Sequence, residues 1–238
     1  MAGVPEELLG VTFVYNTETD AYEASELAGA PDDGVRFLVY AVNPINGMPI
    51  EPLIEAGYAD LTTTESASAV TVRVELVSAG VTYLDYSVGA TGSASAITVA
   101  VSGFVSNGDD RVNFDLDNHL TAESMGLDYT LVVPTRGGFR IDFEGDATDG
   151  TVTSSIEARG PHGTVMVSGS QNATGGSFDV RVNRELFATL TVTTGEPPVI
   201  TGADGQALSP AELHALQAMY GLFVEGFDFF EDLLDPLG

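Results

Sequence analysis

Carboxylates in alternate positions are the side chains of this chain best placed to do chemistry. Asp115 and Asp117 stand two apart in one segment, and Asp142 and Glu144 two apart in another, with Asp146 and Asp149 just beyond. On extended chain each set lies on one face. Like charges at that spacing repel, and oxygen clusters of this type hold Ca²⁺, the one cofactor the chain suggests. Paired carboxylates also serve as acid and base in glycoside hydrolysis when they stand about 5 to 9.5 Å apart. Alternating polar residues on a solvated sheet face produce the same string. The chain has neither an EF-hand loop nor a tryptophan to stack on sugars.

Other reactive residues give less. His119 falls in an Asn-His-Leu-Thr stretch read as a loop, His162 in a Pro-His-Gly turn, and His214 near the start of a helix, with no two at metal-binding spacing. No Gly-x-Ser-x-Gly elbow occurs, and Ser102-Gly103 and Ser168-Gly169 read as strand residues. No glycine-rich loop leads from a strand into a helix, so no phosphate cradle is encoded. Without cysteine there are no disulfides, thiolate metal sites or cysteine nucleophile. A non-catalytic protein is therefore expected, with a glycan-active enzyme using paired carboxylates as the third reading.

The remaining candidates are apolar. Leu213, Leu216, Tyr220, Phe223, Phe227, Phe230 and Leu234 alternate three and four apart, which lines one face of a helix over 209–235. Ser209, Pro210 and Glu212 form a capping box with proline at the first helical position, and Asp235 before Pro236 ends the helix. Leu216, Tyr220, Phe223, Phe227 and Phe230 are the candidate ligand-binding residues, lining an apolar pocket between helix and sheet. The alternative is a core helix packed on its sheet, with the off-stripe Phe229 and Leu233 meeting another subunit.

The elements that position these residues are strands. From Val11 to about Ile200 apolar residues alternate with polar ones in roughly a dozen segments, punctuated by turn formers such as Ala79-Gly80, Asn107-Gly108 and Gly160-Pro161-His162-Gly163. The segment 35–42 is apolar at nearly every position and predicts a strand covered on both faces. The expected fold is mainly β: a large antiparallel up-and-down sheet, curved or an incomplete barrel, with one C-terminal amphipathic helix on its concave apolar face. A two-layer β-sandwich plus helix is the alternative. The chain 1–238 is expected to be one domain, with sheet over 10–201. In outline it resembles the curved-sheet carriers of bacterial lipoproteins.

Charge narrows the partners. The net charge is -27, all eight basic residues are arginine, and charged residues make up only 18%, so the imbalance comes from missing bases. Phosphate backbones and anionic lipid surfaces are repelled, which excludes nucleic acid. A lysine-free acidic chain suits high salt or an arginine-biased genome. No apolar run reaches the roughly 20 residues of a membrane-spanning helix. The opening Met1-Ala2-Gly3-Val4-Pro5 lacks the features of a signal peptide and reads literally as cytoplasmic. A mature chain stripped of its export signal looks the same, and a secreted or periplasmic protein is the expectation. Its partners are then an apolar small molecule or lipid, or further copies of itself in a structural protein of the cell surface.

Overall fold

A computed structural model describes residues 4–93, 95–146 and 149–218. A 3-10 turn, Glu6–Leu8, leads into β1 (Val11–Asn16) and β2 (Ala21–Ser25). Then come β3 (Gly34–Tyr40), β4 (Glu55–Glu65), β5 (Ala69–Ser78), β6 (Val81–Gly92), β7 (Ala96–Ser106) and β8 (Arg111–Thr121). The run continues through β9 (Ser124–Val133), β10 (Gly137–Asp146), β11 (Thr151–Gly160) and β12 (Gly163–Asn172). It closes with β13 (Gly175–Val182), β14 (Glu185–Thr193) and β15 (Val199–Gly202). Helix α1 occupies 210–218 within the described residues.

All fifteen strands form one sheet, so the two-sheet alternative is replaced by a single mixed, mostly antiparallel one. From β3 to β15 each strand pairs with the next in sequence, and the sheet is open, with edges at β15 and β2. The exception to the up-and-down order is β1, which lies between β3 and β2 and pairs with β3 in parallel. That arrangement sets Phe13 beside Phe37, ring on ring at 5.0 Å, whereas a simple meander would put β2 between them. The end of β2 and the start of β3 lie at the same end of β1, joined by the link 26–33. Gly29 in that link packs beside Arg36, where even a methyl group would stand 3.2 Å from Nη1. Thr12, in register with Arg36, is only 1% exposed.

Residues directly opposed on antiparallel strands share a face, so the register sorts the side chains into rows. One row runs Val72, Val88, Val101, Leu116, Tyr129, Ile141, Ile156, Val167, Val180 and Ala188 across ten strands. Val101, Tyr129 and Ala188 are completely buried, and Tyr86, Val88, Val101, Phe114, Tyr129 and Ile141 form the central cluster. The opposite face is polar and held by arginine forks across or along the strands. Arg36 grips Asp60 through two bonds of 2.7 Å, and Arg73 grips Asp85 at 2.8 and 2.9 Å.

Several local expectations change. β3 is buried only at Gly34 and Val35 and half-buried beyond, with Val4, Pro5 and Leu8 standing over its apolar side at Val35 and Phe37. The hairpin at Asn107-Gly108 has a four-residue loop, with Ser106 opposite Arg111. The Asn107 carboxamide oxygen accepts from the N–H groups of Asp109 and Asp110, and this side-chain turn competes with the tighter two-residue one. Ala79-Gly80 is a tight turn, with φ of 49° and 77°.

Candidate functional site

An apolar cavity of about 510 Å³ lies where α1 begins over the sheet. Its floor is the apolar face of β11 to β15. Ile156, Val167 and Val180 come from the buried row, and Ser154, Phe178, Leu190 and Ile200 from the neighbouring one. Leu213, Leu216 and Gln217 of α1 close it from above. Gly169 stands between Ser154 and Phe178 in the second row. A Cβ there would fall 2.1 Å from the Ser177 carbonyl and 2.8 Å from the Phe178 ring, so the missing side chain lets that ring lean across the floor. Among the described lining residues only Ser154 and Gln217 bring polar side-chain groups, the usual composition of a site for an apolar ligand.

The start of α1 is placed by its own chemistry. The Glu212 carboxylate accepts from Ser209 N–H and Ser209 Oγ, both at 2.7 Å, while Glu212 N–H donates back to Ser209 Oγ at 3.4 Å. These bonds hold the Glu212 carboxyl below its ordinary pKa. Upstream, Ala203 N–H donates to the Phe187 carbonyl, and Gly202 N–H to Gln206, tying the entry of the helix to β14 and β15. Of the candidate ligand-binding residues, Leu216 lines the cavity, whereas Tyr220, Phe223, Phe227 and Phe230 lie outside the described residues. Sequence reasoning did not single out Ile156, Val167, Phe178, Val180, Leu190 or Ile200. Their alternation marked them as apolar-face residues, but only the strand register shows that they adjoin.

The five candidate metal-ligating carboxylates share the polar face without converging. Asp115 and Asp117 are on β8, and Asp142, Glu144 and Asp146 on β10, with β9 between. Asp117 and Asp142 belong to one row, and Asp128 of β9 stands between them in direct register with both. Glu144 faces Gly126 and Thr153, and Asp146 faces Ser124 and Thr151. The Arg140 guanidinium reaches Asp128 at 2.5 Å and Asp142 at 3.0 Å, supplying positive charge where a cation would otherwise be drawn. Among the described residues no group of three or more His, Asp or Glu is gathered to hold a metal ion.

The neighbouring row, in which Asp115 stands with Thr130 and Arg140, is nonetheless perturbed. The Asp115 carboxyl is pushed above its ordinary range by desolvation first, then by the charges of Asp117 and Asp128. His119 belongs to β8 and not to a loop, because that strand continues to Thr121 opposite Ala96. Its ring occupies the space left by Gly126, where a Cβ would be 2.1 Å from His119 Cε1. His162 sits in the β11–β12 turn and His214 is exposed on α1, so the three histidines stay apart.

In comparisons with known proteins, the chain matches no family model, no curated protein and no solved structure. Within the described residues no helix is long and apolar enough to cross a membrane.

Proposed function

We propose that this protein is a non-catalytic binding protein that carries or sequesters an apolar molecule between the sheet and the C-terminal helix. The observation that carries the reading is the cavity of about 510 Å³ under Leu213 and Leu216, a volume suited to a drug-sized or lipid-like ligand. Its floor is sheet, and among the described residues its roof is the capped start of α1. Such a roof admits a ligand without disturbing the ladder. Arg140 engages Asp128 and Asp142 in ion pairs, which weighs against the paired-carboxylate enzyme as the main activity.

Native mass spectrometry of the purified protein is expected to reveal a bound mass in the lipid range, and a fluorescent fatty-acid analogue is expected to bind the delipidated chain. Leu216→Asp puts a carboxylate at the cavity wall and should weaken that probe about tenfold or more. A bare protein that also ignores the probe, or probe binding indifferent to Leu216→Asp, overturns the proposal.

The open sheet favours a second reading, self-association through its edges. Against it, β15 is four residues long and is preceded by Pro197 and Pro198, and β2 carries Glu23 and is followed by Glu26. Short strands, prolines and charges blunt an edge against pairing.

A further inference from the structure

Among the described residues the most exposed large apolar side chain belongs to a loop that takes no part in lining the cavity. The loop joining β3 to β4 holds Ile45 93% exposed, with Val42 at 51%, Met48 at 55%, Ile50 at 37% and Ile54 at 53%. Scattered exposed apolar residues are ordinary, but five within one loop of fourteen residues are not.

This loop is built, not slack. Val42 bridges Pro49, Ala41 N–H donates to Ile54, Asn43 N–H to Met48, and Ile50 N–H to Ala41, all at 2.8 or 2.9 Å. Gly47 N–H returns to the Asn43 carbonyl at 2.8 Å. The Asn43 and Asn46 carboxamides accept from Ile45 N–H and Met48 N–H at 2.9 and 3.1 Å. Pro44, Pro49 and Pro52 have no N–H to satisfy. The tip thus keeps most of its backbone donors to itself while turning its apolar side chains outward.

Those two properties separate the classes of partner. A loop that docks on protein normally offers backbone or side-chain hydrogen bonds to the partner. A loop that enters the boundary of a bilayer must satisfy its backbone internally, because hydrocarbon supplies no partner. Charge selects the kind of bilayer. Glu51 is the only charged residue in 41–54 and the chain carries -27, so an anionic surface repels the molecule and a zwitterionic one does not.

We infer that the 41–54 loop is a membrane-docking tip that inserts its apolar side chains into the interface of a zwitterionic lipid surface. The inference stands whether or not the cavity under α1 holds a ligand.

The test uses the full chain and phosphatidylcholine vesicles. Because the protein has no tryptophan, Ile45→Trp supplies a single reporter, whose emission should shift to the blue on adding vesicles. The wild-type chain should co-sediment with them. The double variant Ile45→Asp/Met48→Asp should do so about tenfold less or worse while melting nearly unchanged by circular dichroism, since Ile45 is almost wholly and Met48 more than half in water. Adding anionic phosphatidylglycerol should reduce binding at low salt. The inference is overturned if the wild type does not sediment, or if the indole emission of the Ile45→Trp variant does not shift. Binding by the aspartate variant equal to wild type, or preference for anionic vesicles, overturns it too. Absence of vesicle binding would turn attention to a protein groove as the partner.

Discussion

Asp115 shows how little a carboxylate's residue type reveals before its neighbours are known. Its pKa is raised by desolvation and by Asp117 and Asp128, one on its own strand and one on the next. A carboxyl whose folded pKa lies above its unfolded value makes the fold less stable as pH climbs through that interval, because the folded chain holds its proton longer. Asp115→Asn should therefore melt higher than wild type at pH 7, and the difference should vanish near pH 3, below the ordinary aspartate pKa of about 3.9. The side chain is exposed, so solvent screening limits the gain to about 0.5 kcal/mol, roughly 1 to 2 °C. Equal melting of variant and wild type at both pH values would refute the upward shift and its causes, desolvation first and then the two neighbouring charges. Asp128 and Arg140 were not distinguishable in the sequence from other polar residues on alternate positions. Their bond across β9 and β10 needs a register no local pattern encodes.

At the scale of the element, glycines decide which side chains fit. Gly103 of β7 stands between Tyr86 and Phe114 in register, and those two rings approach to 6.2 Å. A Cβ at Gly103 would lie 2.3 Å from the Asp85 carbonyl and 2.4 Å from Tyr86 Cα, both backbone atoms that cannot swing aside. Gly103→Ala should cost about 3 kcal/mol, read as a fall in the urea midpoint. Gly89→Ala is the control, since its nearest new neighbour would be Thr71 Oγ1 at 3.6 Å, an ordinary contact. It should change stability by less than about 1 kcal/mol. Similar midpoints for the two variants would contradict this account of the core. The Ser102-Gly103 pair reads as strand in sequence and is strand. That its glycine makes room for two aromatic rings appears only once β6, β7 and β8 are aligned.

For the whole molecule the question is what covers so wide an apolar face. At one end Val4, Pro5 and Leu8 pack beside Phe13, Val35 and Leu61, and at the other Leu213 and Leu216 stand over β11 to β15. Ending the chain at Leu208 removes the second cover and exposes Ile156, Val167, Phe178, Leu190 and Ile200 together. Such a truncation should aggregate or bind a hydrophobic dye strongly while wild type does not. A soluble truncation that melts cooperatively without dye would show that the helix adds nothing to the fold.

Local chemistry by itself determined a good deal. Alternation set the strands and their two faces, Ala79-Gly80 set its turn, and Ser209 with Glu212 set the start of α1, since each depends on residues within a few positions of one another. The tertiary structure decided the rest. It inserted β1 in parallel beside β3, extended β8 through His119, and stretched the Asn107-Gly108 turn to four residues. It also brought Ile156, Val167 and Val180 under Leu216, and set Asp128 between Asp117 and Asp142. A period of two tells a side chain which face to occupy. Which strangers it meets there depends on strand order and register, set by packing and loop closure across the whole sheet.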